Sequence, residues 1–195
     1  MTSIPWVLAG AAAVLAGATA APTPSASLID AFRTICATDD PTPEAIFTRA
    51  DALGWRRSGP DAPANFDPAI QRLAPAGAGP LILSADAEAT TTVRVDSCGV
   101  SAPVPVDGLA DAVQAWLRSK PIFAMAHSAS FSVVRSDGAL RPAEGFDRAQ
   151  IQQAHREGRL YSVMVLDDET GASGNGRAAV ALLRVEPEPA PKPDP

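Results

Sequence analysis

Aromatic side chains are scarce in these 195 residues: they make up 5%, and only one of them is Tyr. That shortage argues against an aromatic-lined platform for sugars or nucleobases. Positive charge is short as well, with 16 Lys and Arg against 22 Asp and Glu, a net charge of −6. A chain of that sign lacks the basic footprint that DNA, RNA or anionic lipid requires. Two Cys and two His leave few ways to assemble a metal site, and they do not cluster in the sequence. No catalytic, metal-binding or cofactor-binding residue is assigned from the sequence. What is present is ordinary for a globular chain, 46% hydrophobic and 19% charged. Length and composition together predict one domain with tails.

The tails are distinct. Ile4 to Ala21 carries no charge, and Val7-Leu8-Ala9 through Val14-Leu15-Ala16 forms an apolar, helix-prone core. Ala18-Thr19-Ala20 then supplies the small side chains of a cleavage site, so residues 1–20 read as a secretory signal cut after Ala20. The segment before the apolar run has no Lys or Arg, which departs from the usual pattern. Twin-Arg and lipoprotein features are missing, which points to Sec-type export to the periplasm or beyond, without stable membrane insertion after cleavage. At the other end Pro recurs at every second position from Pro187 to Pro195. Those rings fix φ and remove amide donors, so residues 186–195 are expected to form an extended, disordered tail. Residues 21–185 are left as a single domain.

Within that domain, Ser27-x-x-Asp30 reads as a capping box opening a helix with Leu28, Phe32, Ile35 and Cys36 on one stripe. Thr42-Pro43 opens a second helix, whose buried face is Ile46, Phe47, Ala50 and Leu53 and which ends at Gly54. Arg56 to Pro80 reads as loop. Leu81–Glu88 and Thr90–Val100 read as neighbouring strands, and Asp107 as the cap of a third helix carrying Leu109, Val113, Trp116 and Leu117. Ile122 to Val134 alternates over its whole length and reads as one strand, with Phe123, Met125, His127, Ala129, Phe131 and Val133 on its apolar face. Asp137-Gly138 turns the chain, Phe146–Glu157 is a polar helix, and Leu160–Leu166 and Ala178–Val185 close the domain. The order predicts an α+β fold of about five mostly antiparallel strands with helices largely on one face.

Cys36 and Cys98 are the only thiols, and export places them where a pair closes, so a disulfide is expected. Neither has the near partner that a redox-active pair needs. Strict alternation sets Cys98 on the face opposite Val93 and Val95. Either a bulge at Ser97–Gly99 re-aims it, or the first helix packs on that other side of the sheet. Phe32-Arg33-x-x-Cys36, a short acidic and Pro-containing gap, and Ala50-x-x-x-Gly54-Trp55 together resemble small exported proteobacterial proteins of unassigned function. The resemblance covers about a quarter of the mature chain. It implies an envelope protein whose N-terminal helix pair is disulfide-linked to a sheet, and it carries over no catalytic residue.

The remaining candidates each have a plainer explanation. His127 reads as a core His on a strand, and His155 as a solvated side chain on a polar helix. Gly174-x-Gly176-x-x-Ala179 matches a dinucleotide fingerprint only on paper, because a strand and not a helix follows it. Asp167-Asp168-Glu169 with Asn175 lacks the spacing of a calcium loop. Function is therefore expected in a non-enzymatic binding or interaction module of the envelope, with a protein or small ligand as partner. Two surfaces are nominated: the small-residue strand face at Ala124–Ser132 and the helix bearing Gln150, Gln152 and Gln153. An exported hydrolase joining Ser128 or Ser130 to a His, and a purely structural or stress-related envelope protein, are the alternatives.

Overall fold

Two Thr-Pro pairs open the first two helices, each placing a ring at a first-turn position where no amide donor is needed. The computed structural model describes residues 23–39, 41–89, 93–167 and 177–187. Helix α1, Pro24–Ile35, is capped by the Thr23 hydroxyl, which accepts from the Ala26 amide. It thus starts three residues before the expected capping box, and Ser27 lies inside it. The expected stripe is buried: Leu28, Phe32, Ile35 and Cys36 all lie in the core. Helix α2, Pro43–Ala52, buries Ile46 and Ala50, and Leu53 is instead exposed at its end. Helix α3, Leu109–Leu117, has Gly108 and not the expected Asp107 at its N-cap, and the Gly108 φ of +68° suits glycine. Helix α4 is Arg148–Arg156, opened by a reciprocal capping box between Asp147 and Gln150.

All strands join one antiparallel sheet. They are β1 Gln71–Leu73, β2 Ile82–Ala89, β3 Val93–Ala102, β4 Phe123–Met125, β5 Ser128–Ser136, β6 Ala139–Pro142, β7 Leu160–Asp167 and β8 Ala178–Pro187. Their order is β1-β2-β3-β8-β7-β5-β4, with β6 paired to the far half of β5. The fold is α+β as expected, but the described residues form eight strands and not about five. β1 arises within the expected loop, where Leu73 also bridges to Arg56. β6 returns from the Asp137-Gly138 turn, in which both residues have positive φ, the arrangement of a type I′ hairpin turn. The third addition comes from the long central strand, which breaks at Ala126-His127 into the β4–β5 hairpin. β8 continues through Pro187, two residues past the boundary expected for the tail. Residues 1–20 and the rest of the tail lie outside the described residues.

Helix placement also departs from expectation. α1 packs on β3 and β8, α2 on β2 and α3 on β7, and their apolar residues share one core with Leu83, Val100, Val163, Val165 and Val180. α4 lies on the opposite face, where Ala154, with half-buried Ile151 and Phe146, packs a small separate cluster on Val134 and Leu160. Within β5, Val133 faces the main core and Val134 the other side, so the strand end is covered from both sides. Cys36 and Cys98 form a disulfide, with Cα atoms 5.5 Å apart. β3 pairs without interruption on both sides, so no bulge re-aims Cys98. The helix instead packs on the face that carries Asp96, Cys98 and Val100.

Candidate functional site

The three-helix core covers one face of the sheet. Among the described residues, α4 covers the reverse face only at the Val134–Leu160 corner, and register resolves the remainder into three rows of side chains. The first runs Leu73, Ile82, Ser101, Ala179, Leu166, Ser128, Met125. The second runs Gln71, Ser84, Gly99, Ala181, Met164, Ser130, Phe123, and the third Asp86, Ser97, Leu183, Ser162, Ser132. Of these only Leu73 is buried. The composition is a mixture of serine and small or apolar side chains, with no Lys or Arg in any row.

The β4–β5 turn sets the character of one edge. Residues that flank a two-residue turn oppose each other, so Phe123 and Met125 share a face with Ser128, Ser130 and Ser132. Alternation along one continuous strand instead assigns them to the face of Ala129, Phe131 and Val133. The turn therefore inverts the expected partition: Phe123 is 54% exposed and Met125 66%. Ile122 and Leu166 are exposed beside them, so four of the seven exposed large apolar residues found among the described residues gather at this edge. Neither Ala126 nor His127 has positive φ, which is why no Gly or Asn marks the turn.

His127 consequently sits exposed at the hairpin tip and not in the core, which corrects its expected placement. Its carbonyl accepts from the Asp167 amide at 2.9 Å. A cavity of about 310 Å³ brings it together with Ser128, Asp111, Gln114 and Asp167. Among the described residues, no hydrogen bond links the His127 ring or the Ser128 hydroxyl to those acids. Asp167 instead accepts from the Val106 amide, and Ser130 bonds Ser162 at 2.8 Å. His155 lies half-buried in the last turn of α4. The Gln-rich helix is self-contained: Gln150 caps Asp147, and Gln153 bonds Glu157 at 2.8 Å. Only Gln152 remains of that nominated surface. The Gly174–Gly176 motif, Asp168, Glu169 and Asn175 lie outside the described residues. No group of three His, Cys, Asp or Glu close enough to hold a metal occurs among the described residues.

A larger cavity of about 480 Å³ opens at the β1–β3 end of the uncovered face, walled by the loops at Asp61–Asn65 and Gly79–Leu81. Its floor is Gln71, Leu73, Ile82, Ser84 and Ser101, and Arg177 lies at its rim. Sequence reading missed it because Arg56–Pro80 carries no periodic signal. The charged groups beneath the opposite face are structural. Arg72 is buried, donates to Asp51 and to the Pro68 and Gln71 carbonyls at 2.8 Å each, and stacks 4.1 Å from the Phe47 ring centroid. Burial alone would raise the Asp51 pKa, but hydrogen bonds from Arg72 and Arg57 outweigh it and hold the carboxyl below its ordinary value. Asp96 pairs with Arg184. Arg135 is buried over the Tyr161 ring, 4.9 Å from its centroid, and its guanidinium has no hydrogen-bond partner among the described residues. Compared with known families, curated proteins and solved structures, the chain matches no family model, no curated relative and no solved structure.

Proposed function

We propose that this protein is an exported, non-enzymatic interaction module of the cell envelope that receives a partner protein on the uncovered sheet face. The observation that carries the reading is that face. It spans five to seven strands at about 4.8 Å spacing and three rows at about 7 Å, on the order of 600 Å². That approaches the roughly 800 Å² per partner of a standard protein interface. Its serines and small residues keep it low, and its apolar edge at Phe123, Met125 and Leu166 supplies large side chains of the kind that anchor interfaces. Export is supported by the uncharged N-terminal segment with its Ala18-x-Ala20 site and by the disulfide, which belongs to an oxidising compartment. No described helix is long and apolar enough to cross a membrane. The proteobacterial envelope resemblance points the same way.

The test is photo-crosslinking in the native envelope from a reactive side chain placed at Met164. One discrete adduct is expected, absent when the probe sits at exposed Arg148 on α4, and lost when Ala181→Arg interrupts the face. An identical pattern from both positions, or none from Met164, would overturn the reading. A second reading, an exported hydrolase, is favoured by one observation: a single cavity holds His127, Ser128, Asp111 and Asp167. It requires esterase or amidase turnover that His127→Gln abolishes at unchanged melting temperature.

A further inference from the structure

We propose that the cavity at the β1–β3 end is a binding site for a small amphipathic anion, with a carboxylate or phosphate head on an apolar body. Its volume of about 480 Å³ lies within the roughly 300–1,000 Å³ typical of small-molecule sites. Leu73 and Ile82 form an apolar floor, flanked by the Ser84 and Ser101 hydroxyls.

The charge balance of the lining selects the sign. Asp61 is its only carboxylate, and Arg56 holds it through two bonds of 2.8 and 3.2 Å. Those bonds, led by the side-chain hydrogen bond, push the Asp61 pKa down, so the acid stays ionised but its charge is matched. Arg177 is the one cation of the lining and has no acidic partner among the described residues. A guanidinium beside an otherwise neutral, half-apolar cavity recognises an oxyanion through its planar fork. The floor offers a matching second contact: the Ser84 hydroxyl accepts from Gln71 at 3.4 Å and donates to no described residue. Gln71 is itself fixed by the Asp67 amide at 2.9 Å. An apolar body then covers Leu73 and Ile82 as the head meets Arg177. This site stands whether or not a protein partner occupies the rest of the face.

Calorimetric titration of the full mature chain with sodium decanoate, decyl phosphate and 1-decanol, each below its aggregation limit, tests the proposal. Decanoate or decyl phosphate should bind at one site, and decanol about tenfold more weakly, the value of one charge-assisted hydrogen bond. The tighter of the two anions identifies the head group. Arg177→Gln should remove that preference without moving the melting temperature, and Ser84→Trp should block all three probes. If no anion binds, if decanol binds as tightly as decanoate, or if Arg177→Gln leaves the anion affinity unchanged, the proposal fails.

Discussion

Reducing the Cys36–Cys98 bond should cost this protein more stability than any single core contact. The bond joins the residue ending α1 to the middle of β3 across a separation of 62 residues, enclosing α2, β1 and β2. Constraining a loop of that length removes about 14 cal/mol/K from the unfolded chain, or roughly 4 kcal/mol at 25 °C. For a domain of this size that is a fall of roughly 8–16 °C in melting temperature. Both sulfurs are buried, so a double Cys→Ala variant adds a cavity cost to the lost cross-link. Comparing oxidised with reduced wild-type protein in urea keeps the sulfur volume and isolates the constraint. Reduction should lower the midpoint and also steepen the transition, because the freed unfolded chain exposes more surface. A loss below about 1 kcal/mol with an unchanged slope would mean that α1 is held by packing alone and that the entropic reasoning is wrong here.

Arg135→Met should leave the protein as stable or raise its stability by about 1–3 kcal/mol in urea, because it removes a buried, unbonded guanidinium at the loss of one stacking contact; a loss above about 1 kcal/mol would contradict this. His127→Gln should change stability by less than about 0.5 kcal/mol, as for any exposed turn residue, and a fall of about 2 kcal/mol would return His127 to the core. Arg72→Ala should cost about 2–4 kcal/mol, since two carbonyls and Asp51 lose a donor together, and Arg72→Lys should recover only part of it. The depressed Asp51 pKa stabilises the fold above its ordinary value of 3.8 and is lost as pH falls through the lower folded value. Acid titration should therefore show a shallower decline in Asp51→Asn than in wild type, and identical slopes would refute the linkage.

The parts of the fold that sequence made legible are those where one local signal decides the outcome. Leu28, Phe32 and Ile35 recur at helical spacing and are buried; Asp137-Gly138 is a turn because glycine and a tolerant Asp accept positive φ. The disulfide followed from there being only two thiols. The remainder depends on pairing partners far along the chain. β1 is three residues long and exists because β2 and Arg56 pair with it, a contact no local pattern contains. Two residues of capping type, Thr23 and Ser27, stand one turn apart, and α1 starts at the earlier one, which precedes the proline. The cavity with Arg177 at its rim joins residues over a hundred positions apart, so no motif could announce it.

The β4–β5 turn shows how one undetected element redirects function. Period-2 alternation is a statement about a continuous strand, and it fails wherever the chain reverses, because a two-residue turn makes the paired residues an odd number of positions apart. Met125 opposes Ser128, so the odd-numbered apolar side chains before the turn join the even-numbered serines after it. Had the strand been continuous, Phe123 and Met125 would lie in the core with Phe131, and the reverse face would be almost wholly serine and alanine. With the turn, the core ends at Ala129, and the sheet edge carries four large apolar side chains next to serines that keep the surface low. An edge of that kind, which no described helix covers, is what folded proteins normally avoid unless something binds there. The same turn moves His127 from the core to the tip. The interaction reading and the loss of the core-histidine reading therefore have one cause. Inserting one residue after His127 tests that cause directly. Repaired register should bury Phe123, and solvent quenching of its fluorine-labelled ring should fall sharply; unchanged quenching would show that the hairpin register is not what exposes this edge.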